Sequence, residues 1–210
     1  ISKKTEKFVS LKFSQLISKD KKIILFLMAF GFIQYLIFAT TALSLVDYFS
    51  VKFEVYYLAV VLASIYGPFQ LIGRLIEMRL ANKFDARNTG FIAAIVIPCS
   101  LILLFSSNYS ICIFSMALFG MSNGLLTVTN GYLPNLFFEP SIIGRIKGYI
   151  GAPTALGMSC APFISGIFSE NLNALFVLMI ILSSIPIVSI FLLKREQERG
   201  GDGMCTNVAE

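Results

Sequence analysis

Apolar residues run along this chain in six blocks, at 23–46, 55–76, 90–106, 111–133, 148–168 and 174–193. Each is close to the ~20 residues that carry a helix across the hydrocarbon core of a bilayer, and the third sits at the lower end of the usable range. The polar segments between blocks are short, and Lys and Arg occur on alternate ones only. Segments 1–22, 77–89, 134–147 and the stretch from 194 onward, together with Arg74, hold every basic residue except Lys52. Under the positive-inside rule these segments and both termini are cytoplasmic, and 47–54, 107–110 and 169–173 lie outside. The pattern predicts an all-α membrane protein with six transmembrane helices spanning 23–193.

Polarity is unevenly shared among the six. The third and sixth spans are almost wholly aliphatic, broken by Pro98, Pro186 and a few serines, and can face lipid. The first and fourth carry most of the amides. An unsatisfied polar group in hydrocarbon costs several kcal/mol, so those helices are expected to line an interior. Three spans followed by three spans allow two inverted three-helix repeats, a plan that secondary transporters use.

In the fourth span Met116, Asn123, Thr127 and Asn130 fall on one helical face, with Gly120 and Gly124 close by. A thinner stripe runs through Gly31, Gln34, Phe38 and Thr41 of the first span, and the second aligns Tyr56, Ala63, Gly67, Gln70 and Arg74. Such stripes face water or bond to a neighbouring helix, the latter worth only ~0.6–2 kcal/mol per contact. As a set, the fourth-span stripe is expected to face a cavity. The fifth span is instead rich in small residues: Gly148 with Ala152 and Gly151 with Ala155 make small-xxx-small pairs, continued by Gly157, Ala161 and Ser165. They predict close helix approach, while Pro153 and Pro162 predict bends.

Composition agrees with a membrane setting: 56% of the 210 residues are hydrophobic and 14% charged. The net charge of +5 belongs to span ends and cytoplasmic segments, where anionic lipid attracts it, so no nucleic-acid partner is expected. There is no histidine, hence no His-bound metal or haem and no Ser-His dyad. Cys99, Cys112, Cys160 and Cys205 lack CxxC spacing and read as small packing residues, so neither metal nor cofactor is expected. No charged side chain sits in the middle of any span, which argues against an intramembrane enzyme and against a proton relay within these helices.

The chain opens on Ile1, and its first 22 residues are polar and basic. It reads as part of a longer protein. Val9, Phe13, Leu16 and Ile17 form a stripe at i, i+4, i+7 and i+8, as in an interfacial helix leading into the first span. The segment 194–210 reads as a disordered cytoplasmic tail.

At the end of the second span the chain reads Gly67-Pro68-Phe69-Gln70-Leu71-Ile72-Gly73-Arg74, then Leu75-Ile76-Glu77-Met78-Arg79. This resembles the loop between the eighth and ninth helices of major facilitator superfamily permeases, where a Gly, an acidic residue four positions on and following basic residues make a cytoplasmic gate. Gly73, Glu77 and Arg79 match; Met78 and Leu80 depart from the pattern. Gly144-Arg145-Ile146-Lys147-Gly148, followed by Pro153 and Pro162, is similar to the start of the eleventh helix in bacterial members. The resemblance implies that the six spans are helices seven to twelve of a twelve-helix transporter, in a bacterial cytoplasmic membrane, whose N-terminal six-helix half is the partner. It further implies a secondary-active or facilitative carrier of a small solute, working by alternating access.

From the residues, Glu77 beside Arg74 and Arg79 suits ion pairs that hold a gate shut, and Gly73 permits close helix contact. The pathway residues expected are Gln34, Tyr35, Thr41, Gln70, Asn123, Thr127 and Asn130, with Gly67, Gly73, Arg74, Glu77, Arg79, Gly148, Pro153 and Pro162 as the moving parts. Tyr35 and Phe38 beside Gln34 suit a neutral or amphipathic solute, and no cation is assigned to the pathway. The alternative function is a six-helix membrane scaffold or a homodimeric membrane protein.

Overall fold

The computed structural model describes residues 18–80, 86–140 and 142–201, so the stripe at Val9, Phe13, Leu16 and Ile17 lies outside the described residues. Helix α1 runs Ser18–Phe53, α2 Tyr56–Leu80, α3 Ala86–Leu103, α4 Tyr109–Tyr132, α5 Ile143–Ile167, α6 Leu172–Leu182 and α7 Ser184–Gly201. A 3-10 turn, Leu133–Leu136, follows α4. No strand occurs among the described residues. Five segments are long and apolar enough to cross a membrane: Lys21–Phe53, Tyr56–Arg79, Tyr109–Leu136, Ile143–Ile167 and Leu172–Leu193. Helix α3, with 18 residues, is about 27 Å long, slightly short of a hydrocarbon core of about 30 Å.

The six expected spans are all present, with three differences. Helix α1 has 36 residues and continues past residue 46 to Phe53, because Tyr48, Phe49 and Phe53 pack inside the bundle. The sixth span is two helices. Pro186 has no N–H to give to Leu182 and its ring crowds that carbonyl, so α6 stops there and α7 restarts at Ser184. Helix α7 then extends through Gly201 into the segment read as tail.

Local sequence sets several ends. Asn108 caps α4 by accepting from Ser110 N–H at 2.9 Å, and Asn171 caps α6 by accepting from Ala174 N–H at 3.1 Å. Glu54 takes the left-handed conformation, φ 57°, to reverse the chain between α1 and α2.

Packing follows the inverted repeat. Helix α1 lies along α5 and α4 lies along α2, each the crossed partner expected of two related three-helix units. Likewise α4 packs on α3 and α1 on α6 and α7. Helices α1 and α4 are the most buried, whereas most of α2 and α5 is exposed.

Glycines carry the close contacts. Gly120 and Gly124 of α4 sit on the α2 backbone: a Cβ at Gly120 would strike Tyr66 O, and one at Gly124 would strike Gln70 O. Gly73 of α2 lies reciprocally on Met121 O, and Gly157 of α5 lies on Phe32 O of α1. This is the small-residue packing of membrane helices, in which backbones meet because no side chain intervenes.

The end of the bundle remote from the basic segments is tied together by Lys52, beside an open cleft of about 610 Å³ lined by Tyr48, Val51, Lys52, Phe105 and residues 169–173. Lys52 Nζ donates to Leu104 O at the end of α3, and Tyr48 OH donates to the same oxygen at 3.3 Å. The Lys52 ammonium lies 5.3 Å from the Tyr48 ring centroid and 5.7 Å from that of Phe53. The one basic residue outside the basic segments thus caps a helix C-terminus and rests on aromatic faces.

Candidate functional site

The polar stripe of α4 divides in two. Met116 is wholly buried in the apolar core. Asn123 is 6% exposed and donates through Nδ2 to Tyr66 OH of α2. Its backbone carbonyl accepts from Thr127 Oγ1 at 2.7 Å. The upper stripe therefore bonds to a neighbouring helix. Thr127 and Asn130 lie further along, on a face of α4 that borders a groove at the basic end.

That groove has a volume of about 240 Å³ and is lined by Tyr35 of α1, Thr127, Asn130 and Gly131 of α4, Pro134 of the 3-10 turn, and Lys147, Ile150, Gly151 and Thr154 of α5. Its floor is Gly31. The place a Cβ would occupy there is taken by Thr154 Oγ1 and is 3.8 Å from Asn130 Nδ2, so three helices meet where α1 has no side chain. Thr154 directs its hydroxyl hydrogen to Ile150 O at 2.8 Å, with the oxygen packed on Gly31. Asn130 Oδ1 is buried without a partner among the described residues.

Of the expected pathway residues, then, Tyr35, Thr127 and Asn130 come together. Gln34 is 1% exposed in the interior, one turn beyond Gly31, and both its amide atoms lack partners; Thr40 and Thr41 are likewise buried with unpaired hydroxyls. Gln70 is half-buried, and its backbone packs on Gly120 and Gly124.

The expected gate is arranged differently from its sequence reading. Glu77 is 1% exposed and turned toward α4, where Oε1 accepts from Thr129 Oγ1 at 3.5 Å while Oε2 has no partner. Arg74 and Arg79 are exposed. Helical spacing explains this: Glu77 lies four residues after Gly73, on the face that meets α4, and the arginines fall off that face. Gly73 makes the predicted close contact, with Met121, whereas a Cβ at Gly67 or Gly148 would meet nothing within 4 Å.

In α5 Gly157 packs on Phe32 of α1 and Ser165 hydrogen-bonds to Ser44, Ala161 is buried, and Gly151 opens on the groove. Pro153 is half-buried and Pro162 exposed within a helix that runs continuously through both. Sequence reasoning passed over three features here. The Gly120-xxx-Gly124 spacing is a helix-packing signal that was legible in the sequence. Lys147 is the cation of the groove, signalled only by its place one turn before Gly151. Thr129, the partner of Glu77, had no signal.

The described residues form an all-helical bundle of two crossed three-helix units, with most amides and several hydroxyls gathered inside and apolar faces outside. The profile of the Major Facilitator Superfamily matches residues 10–203, and the chain belongs to that family. No curated protein sequence matches it. Among solved structures it is similar to the peptide transporter POT in complex with sulfate, with TM-score 0.74 and 19% identity over 86% of this chain and 42% of that one. It is also similar to a mutant of POT in complex with alafosfalin, with TM-score 0.73 and 18% identity over 86% of this chain and 43% of that one. The chain thus spans less than half the length of these transporters, and the likeness is one of fold.

Proposed function

We propose that this chain is the C-terminal half of a secondary-active or facilitative transporter, moving a small solute by alternating access past the groove between α1, α4 and α5. The observation that carries the reading is the set of buried polar atoms without partners, Gln34 Nε2 and Oε1, Thr41 Oγ1 and Asn130 Oδ1, in the two most buried helices. Their desolvation is unfavourable unless a mobile partner restores the bonds in part of the cycle. Solute or water entering between two halves is such a partner.

The other half is expected on the exposed faces of α2 and α5. There Leu71, Leu75 and Met78, and Leu156, Met158 and Phe163, are open. The distribution of Lys and Arg supports cytoplasmic termini, so the groove faces the cytoplasm. A homodimer of this six-helix unit would use the same faces. Cysteines at Leu75 and Leu156 in the complete protein discriminate the two readings: crosslinking to the N-terminal half supports the transporter, and crosslinking only between copies supports the homodimer.

A further inference from the structure

The groove has a chemical preference that the polarity of the spans does not disclose. Lys147, Gly151 and Thr154 occupy one face of α5 at i, i+4 and i+7, and all three line the groove. Among the described residues no carboxylate lines the groove. Deeper in, Asn130 Oδ1 is an acceptor without a partner. A neutral amphiphile can meet the acceptor but leaves the positive charge unbalanced. A single positive charge outside and an unmet acceptor inside match a molecule that carries one negative charge beside a hydrogen-bond donor.

Building on the transport reading above, we propose that the solute of this groove is a small organic anion: a carboxylate with an adjacent O–H or N–H, its carboxylate on Lys147 Nζ and its donor on Asn130 Oδ1. The groove's volume of about 240 Å³, somewhat below that of pockets for drug-sized ligands, holds a molecule of a few carbons. One lysine balances one carboxylate, and Lys147 is the single cation in the lining among the described residues, which disfavours a dianion.

The test uses the full-length transporter with its native cysteines replaced by serine and Gly151→Cys introduced, a position where a Cβ meets nothing within 4 Å. In phosphatidylcholine vesicles, the reaction rates of sulfonatoethyl and trimethylammonioethyl methanethiosulfonate are compared, each normalised to a free thiol. The anionic reagent is expected to be favoured roughly three- to tenfold, and Lys147→Gln to bring the ratio near one. Lactate should slow the reaction, lactamide should not, and propionate should protect less than lactate. A ratio near one before the lysine is removed, or equal protection by lactate and lactamide, overturns the proposal while leaving the aqueous groove intact. Protection that appears only when phosphatidylglycerol is added assigns the cation to lipid headgroups and also overturns it. Failure of both reagents to react at all removes the groove itself, and the transport reading with it.

Discussion

The contacts of α2 on α4 and of α1 on α5 occupy equivalent places in the two repeats, and they have diverged in what they enclose. Both bring backbones together through glycine. The α2–α4 contact is closed over a long stretch: Gly73, Gly120 and Gly124 interleave, Tyr66 takes the amide of Asn123, and Glu77 is folded inward at the basic end. The α1–α5 contact is tight at Gly157 and is joined by a hydrogen bond of 2.7 Å between Ser44 and Ser165, then opens toward the basic end at Gly151 and Lys147. One architecture thus yields a braced wall and a wall with a groove. The difference lies in where each helix keeps its small residues: against its partner in α4, divided between partner and open space in α5.

The largest effect is expected where the braced wall is thickest. Gly124→Leu would thrust a side chain into Gln70, Gly73 and Arg74 backbone at once and should cost about 3 kcal/mol, the upper part of the over-packing range. Thermal unfolding of the detergent-purified protein checks this, and a stability equal to the parent's would mean that the α2–α4 contact is looser than described. Gly157→Leu meets the backbone of Phe32 alone and should cost less, about 2 kcal/mol by the same assay. Equal or larger loss there would erase the distinction between the walls.

Tyr66→Phe removes one hydrogen bond from the braced wall and leaves Asn123 to Thr127, with a cost of about 1 kcal/mol. No change would show that the amide already finds another partner. On the open side, Gly148→Ala adds a methyl where nothing lies within 4 Å and replaces the weaker helix former. It should leave the melting temperature unchanged or raise stability by up to about 1 kcal/mol. Destabilisation would mean that α5 is packed at its basic end after all.

Much of this fold is legible in the sequence, because membrane helices announce themselves by length and by the charges between them. The six blocks match helical segments to within a few residues at most ends, five of them long and apolar enough to cross a membrane, and the crossed pairing follows once two repeats are assumed. The break at Ser183 was present in the text as Pro186, but Pro68, Pro98, Pro153 and Pro162 lie inside unbroken helices, so a proline alone does not tell which helix will part. The candidate site is less legible. Periodicity placed Asn123, Thr127 and Asn130 on one face correctly, yet a face extends over several turns and meets different neighbours along its length: Tyr66 at one level, open groove at the next. Glu77 shows the same limit from the other side. Its nearness in sequence to Arg74 and Arg79 suggested ion pairs, and the 100° step between helical residues sends it to α4 while they point out.

The central claim is that the α4 stripe passes from a dry helix contact into a water-filled groove used by solute. The most direct measurement is the rate at which a water-soluble thiol reagent, added from the cytoplasmic side, modifies single cysteines at Asn123, Leu126, Thr127 and Asn130 in the complete, cysteine-free transporter. Thr127→Cys and Asn130→Cys should react readily, whereas Asn123→Cys against Tyr66 and Leu126→Cys in the core should react at least tenfold more slowly. Four equal rates, or reaction at 123 in place of 130, would contradict the account.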